Sequence, residues 1–324
     1  MRGGARRLLL GLALTLVAGP SWADRAEEPT AEATTPRDFW LELIDRHGPR
    51  ARRLAQLAER ALAATTSLHQ ADADPSGSQQ ARLGREALEL ARAGAALRPR
   101  DPELLLMVAR AAARQAPAEA EAALTTYFAV TGAGTNADPG ATIRTGEPVA
   151  AAFELRGMLA VRTGRVDAGI ADLQRGDGGL PGATIALASA LAQRGQLDQA
   201  IALLAAPRRV VGPYSADAVR AALALAVAYD RDEQIGAAFA VLAELERTLG
   251  SNLLSMAQGA IDEAWFVQPG ERAYYLALLY EVTGFLPEAR AMWLHYAAGE
   301  RAAFTRRAQA HVDAIDRLRR RGQP

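Results

Sequence analysis

From Arg37 onward, apolar residues recur every three to four positions, in runs broken by short marks such as Gly48-Pro49, Pro99-Arg100-Asp101-Pro102 and Pro213. That spacing is the period of an amphipathic helix. No stretch alternates apolar and polar residues with β-branched side chains, so strands are not expected. Two interruptions are longer, Ala71 to Ser78 and Thr131 to Glu147, and their Gly, Pro, Asp and Thr content reads as loop. The pattern predicts an all-α chain.

The helices also repeat. Four segments align on an inter-helix turn. Phe153 and Gly157 lead to Arg162-Thr163-Gly164-Arg165, then Gly169-Ile170 and Leu173. Leu187, Ala188 and Leu191 lead to Arg194-Gly195-Gln196, then Ala200-Ile201 and Leu204. Leu225, Ala226 and Tyr229 lead to Ile235, then Ala238-Phe239 and Leu242, with Glu233 at the turn position. Leu276, Ala277 and Tyr280 lead to Thr283-Gly284-Phe285, then Ala289, Trp293 and Tyr296. A small residue before the turn and another after it let two helices touch, and a glycine at the turn permits a left-handed backbone. A further second helix is visible at Gln79 to Pro99, and an extra helix falls around Ser251 to Phe266.

This pattern resembles the tetratricopeptide repeat family, whose unit is a helix-turn-helix with small residues at fixed points of both helices. The match is close at 181–207 and 270–297, good at 219–246 and weaker at 150–176. The segment Pro102 to Val130 lacks the turn glycine. The resemblance implies a right-handed α-solenoid: helical hairpins over 37–130, a loop at 131–147, a repeat array at 148–299 and a basic capping helix at 300–324. It also implies a concave groove lined by the first helix of each pair. Carried over, the groove positions are Glu154, Met158, Ile185, Ser189, Arg220, Leu223, Val227, Asp230, Glu271, Tyr274, Leu278 and Glu281. The family's Lys/Asn/Arg clamp for a C-terminal carboxylate is not matched here, since only Arg220 in that set is cationic. An apolar or helical peptide is the expected partner.

The N-terminus reads as an address. Arg2, Arg6 and Arg7 precede an apolar run from Leu8 to Ala18, Gly19-Pro20 breaks it, and Ser21-Trp22-Ala23 offers a cleavage site before Asp24. The run is about half of the ~20 residues a spanning helix needs. Arg25 to Pro36 has little to bury and reads as a disordered leader. The expectation is export, with the mature chain in the periplasm and no transmembrane span.

Composition mostly removes options. The 324 residues hold 74 alanines, no cysteine and no lysine, and 37 arginines balance 37 acids. Disulfides, thiolate metal sites and cysteine nucleophiles are excluded. Balanced charge argues against a nucleic-acid binder. Phosphate loops of the GxxxxGK[ST] type need the missing lysine, GxSxG is absent, and His47, His69, His295 and His311 form no close metal-binding pair. No metal and no cofactor are expected, and no residue declares a reaction. A wall-cutting enzyme would need a glutamic acid in an apolar cleft on a further domain, and no segment is left to build one. The last stretch carries Arg301, Arg306, Arg307, Arg317, Arg319, Arg320 and Arg321, with Phe304, Ala308, His311, Val312, Ile315 and Leu318 on one helical face. It reads as a cap whose arginines meet water or an anionic surface.

The sequence therefore points to a non-catalytic scaffold for an envelope protein or peptide, in outer-membrane biogenesis, polysaccharide export, division or motility machinery. A second reading is a glycan- or peptidoglycan-binding module that stacks sugars on Tyr274, Tyr275, Tyr280 and Trp293.

Overall fold

The computed structural model describes residues 47–70, 78–133, 147–176, 181–206, 215–264, 266, 268, 270–299 and 302–322. The segments expected to be a signal and a leader, and most of the two expected loops, lie outside the described residues. Among the described residues all regular structure is helical. In chain order the helices are α1 (Gly48–Gln70), α2 (Ser78–Leu97), α3 (Pro102–Ala112), α4 (Pro117–Thr131), α5 (Glu147–Arg162), α6 (Val166–Gly176) and α7 (Pro181–Gln193). There follow α8 (Leu197–Ala205), α9 (Ala216–Arg231), α10 (Ile235–Leu249), α11 (Leu253–Glu263), α12 (Glu271–Val282), α13 (Leu286–Ala297) and α14 (Thr305–Arg320). No described helix is long and apolar enough to cross a membrane.

Consecutive helices pack as pairs, and four of the turns are built identically. Gly164, Gly195, Glu233 and Gly284 have φ of 87°, 77°, 58° and 80°. In each, the next amide bonds back five residues: Arg165 to Ala160, Gln196 to Leu191, Gln234 to Tyr229 and Phe285 to Tyr280, at 2.8–2.9 Å. The left-handed residue itself bonds back three, so each hairpin closes with a Schellman motif. Glu233 is the one non-glycine with positive φ among the described residues. These are the turn positions on which the four segments align.

The small residues serve the approach of the two helices. A Cβ on Gly157 would stand 2.9 Å from the carbonyl oxygen of Gly169, and a Cβ on Gly169 would stand 2.9 Å from that of Gly157. In the other three pairs the equivalent alanines, 188 with 200, 226 with 238 and 277 with 289, are buried. The pair α3–α4 closes differently, through residues 113–116 without a left-handed turn. There the Gln115 amide donates to the Gly84 and Ala111 carbonyl oxygens.

Two apolar clusters form the interior. One gathers α1 to α4 around Leu124, Tyr127 and Phe128, and takes in Ala152, Phe153, Leu155 and Leu159 of α5. The other runs from Met158 and Val161 of the same α5 through to Ile315 of α14. Arg156 adds a polar tie here: its guanidinium grips Asp172 at 2.7 Å through two nitrogens and lies 4.0 Å from the Phe128 ring centre. The extra helix, α11, packs on α9 and α12 and also reaches α1, so the first described helix meets a late one.

Candidate functional site

A cavity of about 370 Å³ opens on the face made by the first helices of the pairs. Its walls come from α3 (Arg110), α5 (Ala151, Glu154, Leu155, Met158), α7 (Gly182, Ile185, Ala186, Ser189), α9 (Arg220) and α12 (Glu271, Tyr275). Ala264 and Phe266, just after α11, complete it, and the Phe266 carbonyl accepts a 3.0 Å hydrogen bond from Arg162 at the end of α5. The volume is in the range of small-molecule sites, and the lining is largely apolar with a few charged groups.

Six of the expected groove positions meet in this cavity: Glu154, Met158, Ile185, Ser189, Arg220 and Glu271. Glu154 takes no hydrogen bond and no ion pair among the described residues. Burial pushes its carboxyl up to about 7, against the pull of Arg110 and Arg220. Gly182 makes the room, since a Cβ there would come 2.6 Å from the Glu154 Oε1. Glu271 is the opposite kind of carboxylate. It begins α12, accepts from the Ser189 hydroxyl at 2.6 Å and from Arg231 Nη1 at 3.2 Å, and is itself buried. A helix N-terminus also favours its negative charge. Arg231 lies between the rings of Tyr274 and Phe304, at 4.8 and 4.7 Å from their centres.

The other six positions are not in the cavity. Leu223, Val227 and Leu278 are buried in the main apolar cluster. Asp230, Tyr274 and Glu281 belong to a polar knot under α14. Asp230 accepts from the Tyr274 hydroxyl at 2.6 Å, from Arg307 Nε at 3.2 Å and from His311 Nε2 at 3.1 Å. Glu281 accepts from Trp293 Nε1 at 2.9 Å and meets His311 Nδ1 at 2.8 Å. The His311 ring stacks on Trp293 at 4.3 Å. Burial alone would raise Asp230, but hydrogen bonds from His311, Arg307 and Tyr274 hold it well below the usual carboxylate range. For His311 burial lowers the pKa, and the two carboxylates outweigh it, to about 9. The imidazole is thus a cation at neutral pH.

The knot changes the reading of the C-terminal helix. Ala308, Val312 and Ile315 are buried as its apolar stripe requires, while Leu318 is exposed. Arg306, Arg317, Arg319, Arg320 and Arg321 face solvent, but Arg307 turns inward onto Asp230. The glycan reading loses its platform for a similar reason. Tyr274, Tyr275 and Trp293 are buried, with Tyr274 edge-on to both Trp293 and Tyr296. Tyr280 is half-buried and receives a hydrogen bond from Gln258.

Arg110, Leu155, Gly182, Ala264 and Phe266 are cavity residues that the repeat alignment does not supply. Arg110 belongs to the hairpin without the turn glycine, and residues 264–266 to the insertion after α10. Compared with known protein families, curated proteins and solved structures, the chain matches none.

Proposed function

We propose that the chain is a right-handed solenoid of tetratricopeptide-like hairpins acting as a non-catalytic scaffold in a periplasmic assembly of the cell envelope. The observation that carries this reading is the convergence of Glu154, Met158, Ile185, Ser189, Arg220 and Glu271, from four separate first helices, on one cavity. A partner peptide would lay an apolar side chain on Met158 and Ile185, with Arg220 at the rim. The three arginines and apolar run before Ala23 support export.

The test is site-specific photo-crosslinking in living cells, because a lysine-free mature chain gives amine-directed reagents only its N-terminus. A photoreactive residue at Ile185 is expected to trap one or two envelope proteins, and this capture is expected to vanish in Met158→Arg. The same residue at Phe239, exposed on α10, is the control. Identical products from both positions, or none from Ile185, would overturn the groove reading. N-terminal sequencing of the exported protein is expected to begin at Asp24, and a chain that retains Met1 would remove the periplasmic assignment. Hydrolysis of cell wall by the purified chain, abolished in Glu154→Gln, would make it an enzyme instead.

A further inference from the structure

The cavity presents two charged groups that the fold does not neutralise. Glu154 on α5 and Arg110 on α3 both line it, and neither makes a hydrogen bond or ion pair among the described residues. They feel each other's charge across the space but do not close a salt bridge. The remaining charges on the walls are already matched. Arg220 is paired with Asp217, and Glu271 with Arg231 and Ser189. The same lining includes the apolar side chains of Leu155, Met158, Ile185 and Phe266.

A carboxyl held partly out of water without a partner is unfavourable, and a counter-charge from a ligand removes that cost. An anion alone would suit Arg110 but bring a like charge to Glu154. A cation alone would suit Glu154 and be repelled by Arg110. A molecule with both charges close together, and an apolar body, satisfies each group at once. We propose that this cavity binds a small zwitterion of the α-amino acid type with an apolar side chain. Its ammonium group meets the Glu154 carboxylate, its carboxylate meets the Arg110 guanidinium, and its side chain lies on Met158, Leu155, Ile185 and Phe266. A cavity of about 370 Å³ accommodates such a molecule, and Gly182 keeps the Glu154 end open. This activity goes beyond the scaffold reading and does not depend on it.

Binding should also couple to protons. The groups facing Glu154 are Arg110 from α3, Asp217 and Arg220 from α9, and Glu271 and Tyr275 from α12. With the Glu154 carboxyl raised to about 7, an arriving ammonium must draw off its proton below that pH. Affinity therefore rises as pH increases through this range, and binding releases a proton on the acid side.

The test is calorimetric titration of the full mature chain with leucine, with 4-methylpentanoate (the carboxylate alone) and with isopentylamine (the ammonium alone). Leucine is expected to bind at least tenfold more tightly than either half-molecule, and more tightly at about pH 8 than at about pH 5.5. Glu154→Gln is expected to weaken leucine at least tenfold while leaving 4-methylpentanoate unchanged or improved. Arg110→Gln is expected to do the reverse, weakening leucine and sparing isopentylamine. Thermal melts of both variants confirm that the fold persists, so lost binding is not lost structure. Absence of leucine binding at millimolar concentration overturns the proposal. Equal affinity for leucine and 4-methylpentanoate overturns it too, as does undiminished leucine binding by Glu154→Gln. Partner capture at Ile185 is read separately, so either result can stand without the other.

Discussion

The face built by the first helices contains two regions that begin alike and end differently. Around Glu154, Ile185 and Arg220 it holds a cavity, with a carboxyl that has no partner among the described residues. Around Asp230, Tyr274 and Glu281 the same kind of position is covered by α14, and the Asp230 carboxylate has three partners, Tyr274, Arg307 and His311. The two acids titrate in opposite directions for this reason. Burial without partners raises Glu154 to about 7, and burial with His311, Arg307 and Tyr274 depresses Asp230. Burial by itself therefore does not decide what a carboxylate does; the supply of donors does. One region leaves its carboxyl open to the cavity, and the other uses its carboxylate to hold α14.

The strongest way to break this comparison is Asp230→Asn. It leaves Arg307 and His311 facing a neutral group, and a loss of about 3–5 kcal/mol is expected in denaturant unfolding. A loss below about 1 kcal/mol would reduce the knot to a surface ion pair. The pH profile gives the sign independently. His311 is raised in the fold, so its contribution is complete below the unfolded value of about 6.5 and disappears as pH climbs through about 9. Asp230 is depressed, so its contribution is present above about 3.9 and is lost as the solution is acidified further. Alkaline loss of stability is expected to flatten in His311→Gln.

Next in size is Ala277→Leu, which forces a larger side chain into the fully buried contact between α12 and α13. Overpacking of that kind costs roughly 1–3 kcal/mol, and an unchanged melting curve would place the hairpin contact elsewhere. Glu154→Gln sharpens the comparison by changing sign with pH. A carboxyl raised in the fold disfavours the native state as pH rises from the unfolded value of about 4.3 towards about 7. The variant is therefore expected to be more stable than the parent by about 1 kcal/mol at pH 8, after allowance for partial exposure, and no different in acid. Destabilisation at pH 8 would mean that Glu154 has a partner in solution. The smallest expected effect is at the turns. Glu233→Gly relieves a left-handed non-glycine and should gain about 0.5 kcal/mol, while Gly195→Ala should lose about 1 kcal/mol.

The turn register was legible because it rests on local demands. A left-handed residue between two small ones leaves a mark that Gly164, Gly195 and Gly284 carry directly, and Glu233 could be placed from its neighbours. The all-helical class follows from periodicity in the same way. The twelve groove positions divide between the cavity and the interior, because a periodic pattern says which side of a helix is apolar without saying what covers it. Asp230 is a first-helix position like Glu154, yet the partners that seal it, Arg307 and His311, lie 77 and 81 positions along the chain. Arg110 carried no signal at all. Its hairpin is closed by Gln115 reaching across to Gly84, which no turn motif announces, and the approach of α11 to α1 is a long-range event of the same sort.

The sharing of α5 between both apolar clusters has a mechanical consequence. In a row of helix pairs that touch mainly their neighbours, unfolding can start at an end and spread like fraying rope. Here α5 acts as the splice: Phe153 and Leu159 belong to one strand of the rope, Met158 and Val161 to the other. A cut through α5 would part the two clusters where they share a helix, leave the contact of α11 with α1, and remove the wall that Ala151, Glu154, Leu155 and Met158 give the cavity.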